Sequence, residues 1–268
     1  MISINTNYGG LYAAKAAQDS QRIIDTAMNR LSTGKKINAS KDDSAGQAIA
    51  MRLEGEIRGL AVASRNASDG QALIDTAEGA LREAHNVLIR MRELAVQAQN
   101  GTLQTADKEA LGVEFDALEA EITRISDNTT WAGIKILDGT QKAGISFRVG
   151  TSENITHSIP DMAATGIGLL AAHSVAHAST ISAVDASIAK LSNERAKLGG
   201  ISNRLDSTVA NLSQVQVNLS ASKGRIEDAD FAQETGNLAK GQILQQAATA
   251  MVAQANASKS TVLTLIQN

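Results

Sequence analysis

Few side chains in this sequence are spaced for chemistry. His173 and His177 stand four residues apart, which on a helix would put two imidazoles on one face as one edge of a metal site. No cysteine occurs, and no carboxylate cluster lies near the pair, so the spacing reads as coincidence. Gly166-Ile167-Gly168, followed by Leu169, Leu170 and Ala171, faintly echoes a dinucleotide loop. Such a loop must follow a strand and open a helix, and no such unit surrounds it. Asn154-Ile155-Thr156 fits the glycosylation triplet, but a chain rich in Asn, Ser and Thr produces such triplets by chance. The missing thiols exclude disulfides, thiolate metal sites and a cysteine nucleophile. With no convergent catalytic set, the expectation is a non-enzyme without catalytic residues, metal or other cofactor.

Charge and composition narrow the class further. The net charge is −3, and the densest basic cluster, Lys35, Lys36 and Lys41, is followed at once by Asp42 and Asp43. A nucleic-acid partner would need a concentrated basic face, so none is expected. The most apolar stretch, Met162 to Ala178, is interrupted by two glycines and two histidines, so no membrane insertion is expected either. The first thirty residues do not read as a cleaved secretion signal, and a secreted fate would need another route. Aromatic residues make up only 2%. A core of Leu, Ile, Val and Ala favours closely packed helices, and the single proline, Pro160, forbids almost none.

The strongest pattern lies near the C-terminus. Val184, Leu191, Leu198, Leu205, Leu212 and Leu219 recur every seventh residue. Ile188, Arg195, Ser202, Val209 and Gln216 fall between them as a mixed second position. Such a heptad stripe must be buried against another long helix. At about 1.5 Å per residue the seam is roughly 50 Å long, too long for a compact globule. The seam helix is expected over 181–222. Gly199-Gly200 lie inside it, with a local bend or a close contact expected there.

A first helix is expected over residues 4–33, carrying Ile4, Tyr8, Leu11, Tyr12, Ile23, Ile24, Ala27 and Leu31 and stopped by Gly34. Asp42, Asp43 and Ser44 can cap the next helix, which carries Ile49, Leu53, Ile57, Leu60, Ile74, Ala77, Leu81, Leu88, Met91 and Ala95 and ends at Asn100-Gly101. Thr105 is a candidate cap for a third, with Leu111, Phe115, Leu118, Ile122 and Ile125 as its stripe. The period then changes to two. Ile134 and Ile136, then Ile145, Phe147 and Val149, predict the two strands of one β-hairpin, with Asp138-Gly139 starting its loop. Residues 151–180 are weakly patterned. After a polar break at Lys223-Gly224 comes a last Ala/Gln-rich helix bearing Phe231, Leu238, Leu244, Ala248, Met251, Val252, Leu263, Leu265 and Ile266. Both terminal helices are thin and marginal alone. Their apolar faces need each other or further copies of the chain.

Residues 29–50, from Asn29-Arg30-Leu31-Ser32-Thr33-Gly34 through Lys41-Asp42-Asp43-Ser44 to Ala50, closely resemble the N-terminal signature of bacterial flagellin. Arg90-Met91-Arg92-Glu93-Leu94-Ala95-Val96-Gln97 resembles its second helical signature, and Trp131 to Gly139 resembles the strand after its third helix. Arg225 to Ala232 resembles the C-terminal signature, and Gln245-Gln246-Ala247 with Ala253 to Asn256 resembles the terminal helix. The resemblance covers about 1–150 and 180–268. The middle is shorter than in many members, and the zinc-protease insert that some carry, marked by His-Glu-x-x-His, is missing.

The resemblance implies a mainly α fold: a long antiparallel coiled-coil bundle with a small β-hairpin near 131–150, and terminal helices that pair on assembly. Residues 1–43 and 225–268 would form the inner filament domain. Residues 44–224 would form a rod with a short variable segment, 151–180. It further implies a secreted, extracellular subunit that polymerises helically with other flagellin copies into the filament used for motility. Implied partners are the export chaperone, the secretion apparatus, and the cap and junction proteins. Innate immune receptors of hosts are implied as well. Arg90, Leu94 and Glu114 match positions that the mammalian Toll-like receptor contacts in family members. Arg30, Leu31, Ser32, Gly34, Lys41, Asp42 and Asp43 fall in the segment resembling the epitope of a plant receptor. Leu11, Ile23, Leu31, Phe231, Leu238, Leu244, Met251 and Leu265 are the expected assembly contacts. A junction protein sharing such termini and a glycan-binding coiled coil are the competing readings. A membrane-active helix protein is a third, disfavoured by tails that carry Gln, Asn and Asp with few cations.

Overall fold

The computed structural model describes residues 6–150, 153–169, 175 and 178–267, with only the backbone of 178 and 261–267. The expected mainly α fold is found. The described elements are α1 (Tyr8–Thr33), α2 (Ser44–Ala98), α3 (Thr105–Asn128), β1 (Thr130–Trp131), β2 (Ile134–Lys135), β3 (Ile145–Arg148), β4 (Asn154–His157), α4 (Ala164–Ile167), α5 (Ala178–Glu227) and α6 (Phe231–Gln267). They form two compact units: a terminal unit of residues 1–56 and 218–268, and a central unit of residues 57–217. The division falls inside α2 and α5, away from the polar linkers.

In the central unit the α5 heptad is buried. Val184, Leu191, Leu198 and Leu205 are fully covered. They meet a matching series from α2: Ile74, Ala77, Leu81, Ala84, Leu88, Met91, Ala95 and Ala98. Spacings of three and four alternate along that series, which keeps one stripe facing the partner helix. Gln71 with Asp206 and Arg92 with Asp185 (2.6 Å) fix the two segments as antiparallel. Arg195 donates to Glu78 at 2.5 and 2.9 Å. The second seam position differs from the sequence expectation. Ser187, Glu194 and the half-covered Ile201 occupy it, while Ile188, Arg195 and Ser202 lie one residue further round, half-buried at its flank. Gly199-Gly200 sit within unbroken helix and face open space, so the expected close contact is not there.

The strands also pair differently from the expected single hairpin. Ala132 and Gly133 both take positive φ (49° and 83°). They make the tight two-residue turn whose twist suits a hairpin, so β2 pairs back on β1, with Trp131 opposite Ile134. β3 instead pairs with β4, with Phe147 opposite Ile155 and Ile145 opposite His157. A methyl at Gly70 of α2 would come within 2.8 Å of the Phe147 ring, so glycine there admits β3. Ser126, buried at the end of α3, donates to the Leu137 carbonyl at 2.7 Å and anchors the chain leaving β2.

Helix ends follow local chemistry. Asn7 caps α1 by accepting from the Gly10 N–H at 3.0 Å. Gly34 closes it in the left-handed conformation, φ 71°, which glycine adopts without a Cβ penalty. Asp43 accepts from the Gly46 N–H at 2.9 Å at the start of α2. Gln104 and Asp107 form a reciprocal capping box on α3, with Thr105 its first helical residue. The polar break after α5 lies at 228–230, because Lys223 and Gly224 remain helical.

Candidate functional site

The terminal unit is built on α1 and α6, which pack antiparallel. Asn7 reaches Asn256 at 3.2 Å at one end, Gln245 donates to Gln21 at 2.6 Å midway, and Arg30 donates to Glu234 at 2.8 Å at the other. Their seam contains small residues. Ala13, Ser20 and Ala27, seven apart, are the buried residues of α1, with Ala17, Ile24 and Leu31 half-covered between them. From α6 come Glu234, Gly241 and Ala248, again seven apart. A methyl on Gly241 would stand 2.8 Å from Ile24 Cγ1. Glycine is therefore what lets the two backbones approach.

Several large apolar side chains remain exposed beside or opposite this seam. Tyr8, Leu11, Tyr12, Ile23 and Met28 are exposed on α1, and Phe231, Ile243, Leu244 and Met251 on α6; Tyr12 is 83% exposed and Met251 61%. Of the expected assembly residues, Leu11, Ile23, Phe231, Leu244 and Met251 lie outward, whereas Leu31 and Leu238 are half-buried within the subunit. The Leu265 side chain lies outside the described residues. Of the expected α1 stripe, Ala27, Ile24 and Leu31 turn toward the seam, whereas Tyr8, Leu11, Tyr12 and Ile23 are exposed. The missed signal was the seven-residue repeat of Ala13, Ser20 and Ala27.

The linkers of the terminal unit are stitched together. The Lys36 N–H donates to the Glu227 carbonyl at 2.7 Å, and the Ala229 N–H to the Gly34 carbonyl at 2.9 Å. Lys35 adds a 2.6 Å ion pair to Glu227, and Lys223 pairs with Glu54. Asp42 accepts from the N–H groups of Ala39 and Asn38 at 3.0 and 3.2 Å. These bonds hold its carboxyl below the ordinary carboxylate range. Ser32, Lys41, Asp42 and Asp43 are exposed, and Ile37 is buried beneath the turn against Gly46.

In the central unit, Arg90 on α2 and Glu114 on α3 form one exposed pair, with contacts of 2.9 and 3.0 Å, and Glu93 adds a third at 3.1 Å. The Glu114 hydrogen bond, with Glu93 second, raises the guanidinium above its ordinary value. Leu94 corrects the expectation. It is fully buried in the core, so it offers a receptor no surface. The central unit also holds a buried polar group that sequence reasoning missed. Glu194 is 1% exposed in the α5 seam, 2.9 Å from His157 Nε2 and 3.1 Å from Lys197 Nζ. Burial pushes its carboxyl up, but the hydrogen bonds from His157 and Lys197 outweigh it and leave it below its ordinary value.

The remaining chemical candidates dissolve or fall away. Gly166-Ile167-Gly168 is the end of the single-turn α4, with Gly168 as a left-handed cap. Asn154-Ile155-Thr156 belongs to β4. His173 and His177 lie outside the described residues. Among the described residues no group of three or more His, Cys, Asp or Glu could hold a metal ion, and no helix is long and apolar enough to cross a membrane.

Comparison with known proteins decides between a generic helical rod and a particular one. The family model for the bacterial flagellin N-terminal helical region matches residues 4–142, and that for the C-terminal helical region matches residues 181–266. The chain belongs to the bacterial flagellin family. It is 38% identical to a flagellin of Bacillus subtilis over 304 aligned positions, covering 99% of this chain and all of that one. It is 41% identical to a flagellin of Halalkalibacterium halodurans, covering 90% and 91%. A putative flagellar hook-associated protein from Vibrio parahaemolyticus shares the fold, with a TM-score of 0.59 and 16% identity over 70% of this chain and all of that one. As a flagellin, the chain is a structural subunit of the filament. The unmatched interval between the two family regions contains β3, β4 and α4, the short middle segment.

Proposed function

We propose that the chain polymerises through exposed apolar side chains of α1 and α6, with Leu11, Ile23, Phe231, Leu244 and Met251 as subunit contacts. One observation carries this: the pair buries Ala13, Ser20, Ala27, Gly241 and Ala248 between its helices, while Leu11, Phe231, Ile243 and Met251 stay exposed. Exposed apolar surface of this kind marks an interaction site. A face repeated on every copy, meeting a different face of the next, generates an open helical polymer. Burial at roughly 25 cal/mol per Å² offsets the cost of ordering helices that are thin on their own. The polymer is extracellular, its subunits pass through the flagellar secretion apparatus, and a chaperone covers the α6 face until export. Cap and junction proteins meet the same terminal helices.

Deletion of residues 1–33, or of 233–268, is expected to abolish seeded polymerisation viewed by negative-stain electron microscopy. The central unit should keep its helical circular dichroism. Filament growth by either truncated chain would overturn the role given to the tails.

A second reading concerns host recognition. The exposed Arg90–Glu114 pair and the turn bearing Lys41, Asp42 and Asp43 are the surfaces offered to immune receptors, with Arg30, Leu31, Ser32 and Gly34 fixing the shape of that turn. Receptor reporter assays on Arg90→Ala and Asp43→Ala test it, and unchanged signalling by both would sink it.

A further inference from the structure

The methionines are divided between the two units. Met28 on α1, Met51 on α2 and Met251 on α6 are 58%, 68% and 61% exposed, and all three belong to the terminal unit. Met91 and Met162, in the central unit, are 0% and 4% exposed. Met251 follows Leu244 by seven residues and so shares its face. A thioether is apolar and adaptable, which suits a packed contact between copies. It is also readily oxidised when exposed, giving a polar, chiral sulfoxide.

We propose that Met28, Met51 and Met251 form a peroxide-sensitive set on the terminal unit, and that the assembly surface of α1 and α6 extends to Met51 at the start of α2. Oxidation of the free subunit blocks polymerisation, and packing into a filament shields the three sulfurs. The proposal rests on the self-assembly reading above. The co-reactant is a hydroperoxide. Its O–O bond breaks, one oxygen forms an S–O bond with the thioether, and sulfur is oxidised by two electrons. The hydroperoxide is reduced to an alcohol, or to water when it is hydrogen peroxide, and no proton is left over. The new S–O oxygen is a strong acceptor, and burying it unpaired between copies opposes association. The central unit, its methionines covered, stays folded through the same treatment.

The test uses the full chain and hydrogen peroxide. Monomer is treated, peptides are analysed by mass spectrometry, and the critical concentration for seeded polymerisation is measured before and after. Oxygen addition is expected at Met28, Met51 and Met251 well ahead of Met91 and Met162. The critical concentration should rise by about tenfold or more, the order expected for one unpaired polar group buried per contact. In the triple variant Met28→Leu, Met51→Leu, Met251→Leu, the critical concentration, whatever its untreated value, should not change on peroxide treatment. The unmodified chain gives an independent readout: the three sulfurs should oxidise more slowly in filaments than in monomer. An unchanged critical concentration after full oxidation at the three sites would overturn the proposal, as would equal oxidation rates in filament and monomer. Failure of the untreated chain to polymerise would instead remove the self-assembly reading, and this inference with it.

Discussion

The two helix pairs of this molecule use the same seven-residue spacing for opposite ends. Between α2 and α5 in the central unit, Leu81, Leu88, Leu191, Leu198 and Leu205 interlock and are wholly covered. Between α1 and α6, the small residues Ala13, Ser20 and Ala27 are buried with Gly241 and Ala248, Ile24, Leu31 and Leu238 are only half-covered, and Tyr8, Leu11, Phe231 and Met251 are exposed. Burial of a leucine contributes about 1.5–3 kcal/mol, whereas an alanine methyl contributes about a third of that. The central pair is therefore the more strongly held of the two. The terminal pair leaves several of its largest apolar side chains, Tyr8, Tyr12, Phe231 and Met251, exposed. The contrast teaches that a heptad alone does not say which face is core; side-chain size at each position does.

Substitutions can break or sharpen this contrast. The largest effect is expected for Leu191→Ala, which should destabilise the central unit by about 2–5 kcal/mol, read from chemical denaturation followed by circular dichroism. Gly241→Val comes next. Its side chain meets Ile24 at the closest approach of the terminal pair, and overpacking there should cost about 1–3 kcal/mol. Limited proteolysis should find the tails cut faster, with the central unit as resistant as before.

Glu194→Ala should cost about 1–2 kcal/mol by leaving His157 without its partner, and its effect depends on pH. The Glu194 carboxyl is held below its ordinary value in the folded chain. Its stabilising contribution is therefore full above the unfolded carboxylate value, about 4.3, and is lost as pH falls through the folded value. Thermal unfolding of the parent and of Glu194→Gln should converge on acidification across that window; a constant gap would refute the assignment. The smallest effect on the subunit belongs to the outer face. Leu11→Ala with Leu244→Ala should leave monomer stability within about 0.5 kcal/mol, yet raise the critical concentration for polymerisation.

Much of this was legible in the residues. The Val184-to-Leu205 stripe is buried as its spacing demands, and Gly34 stops α1 where a left-handed residue was needed. The second seam position was not legible, because Ser187 and Glu194 are polar and become core-compatible only through partners distant in sequence, such as His157. The strand pairing failed for a local reason. The two-residue turn at Ala132-Gly133 captures β2 before Ile145 is reached, and β4 offers only Ile155 as an apolar signal. At the candidate site, size picks out Leu11, Phe231 and Met251, which are exposed, but equally Leu31 and Leu238, which are half-buried. Leu94 was misplaced because its motif does not reveal that the central seam covers it.

The small-residue seam between α1 and α6 has a mechanical consequence. Knobs that fit holes behave as gear teeth, and sliding one helix along another must lift each leucine over a ridge. The α1–α6 seam has few such teeth: Ile24 against Gly241, with Leu31 and Leu238 half-covered, and otherwise small residues. Its resistance to shear along the axis is set by a few pins at the rim, Arg30 to Glu234, Gln245 to Gln21 and Asn7 to Asn256. Pulled lengthwise in a force spectrometer, α1 against α6 should slip at a lower load than α2 against α5. In a filament under bending load, that slip would let the helix pair lengthen or shorten without unwinding a helix.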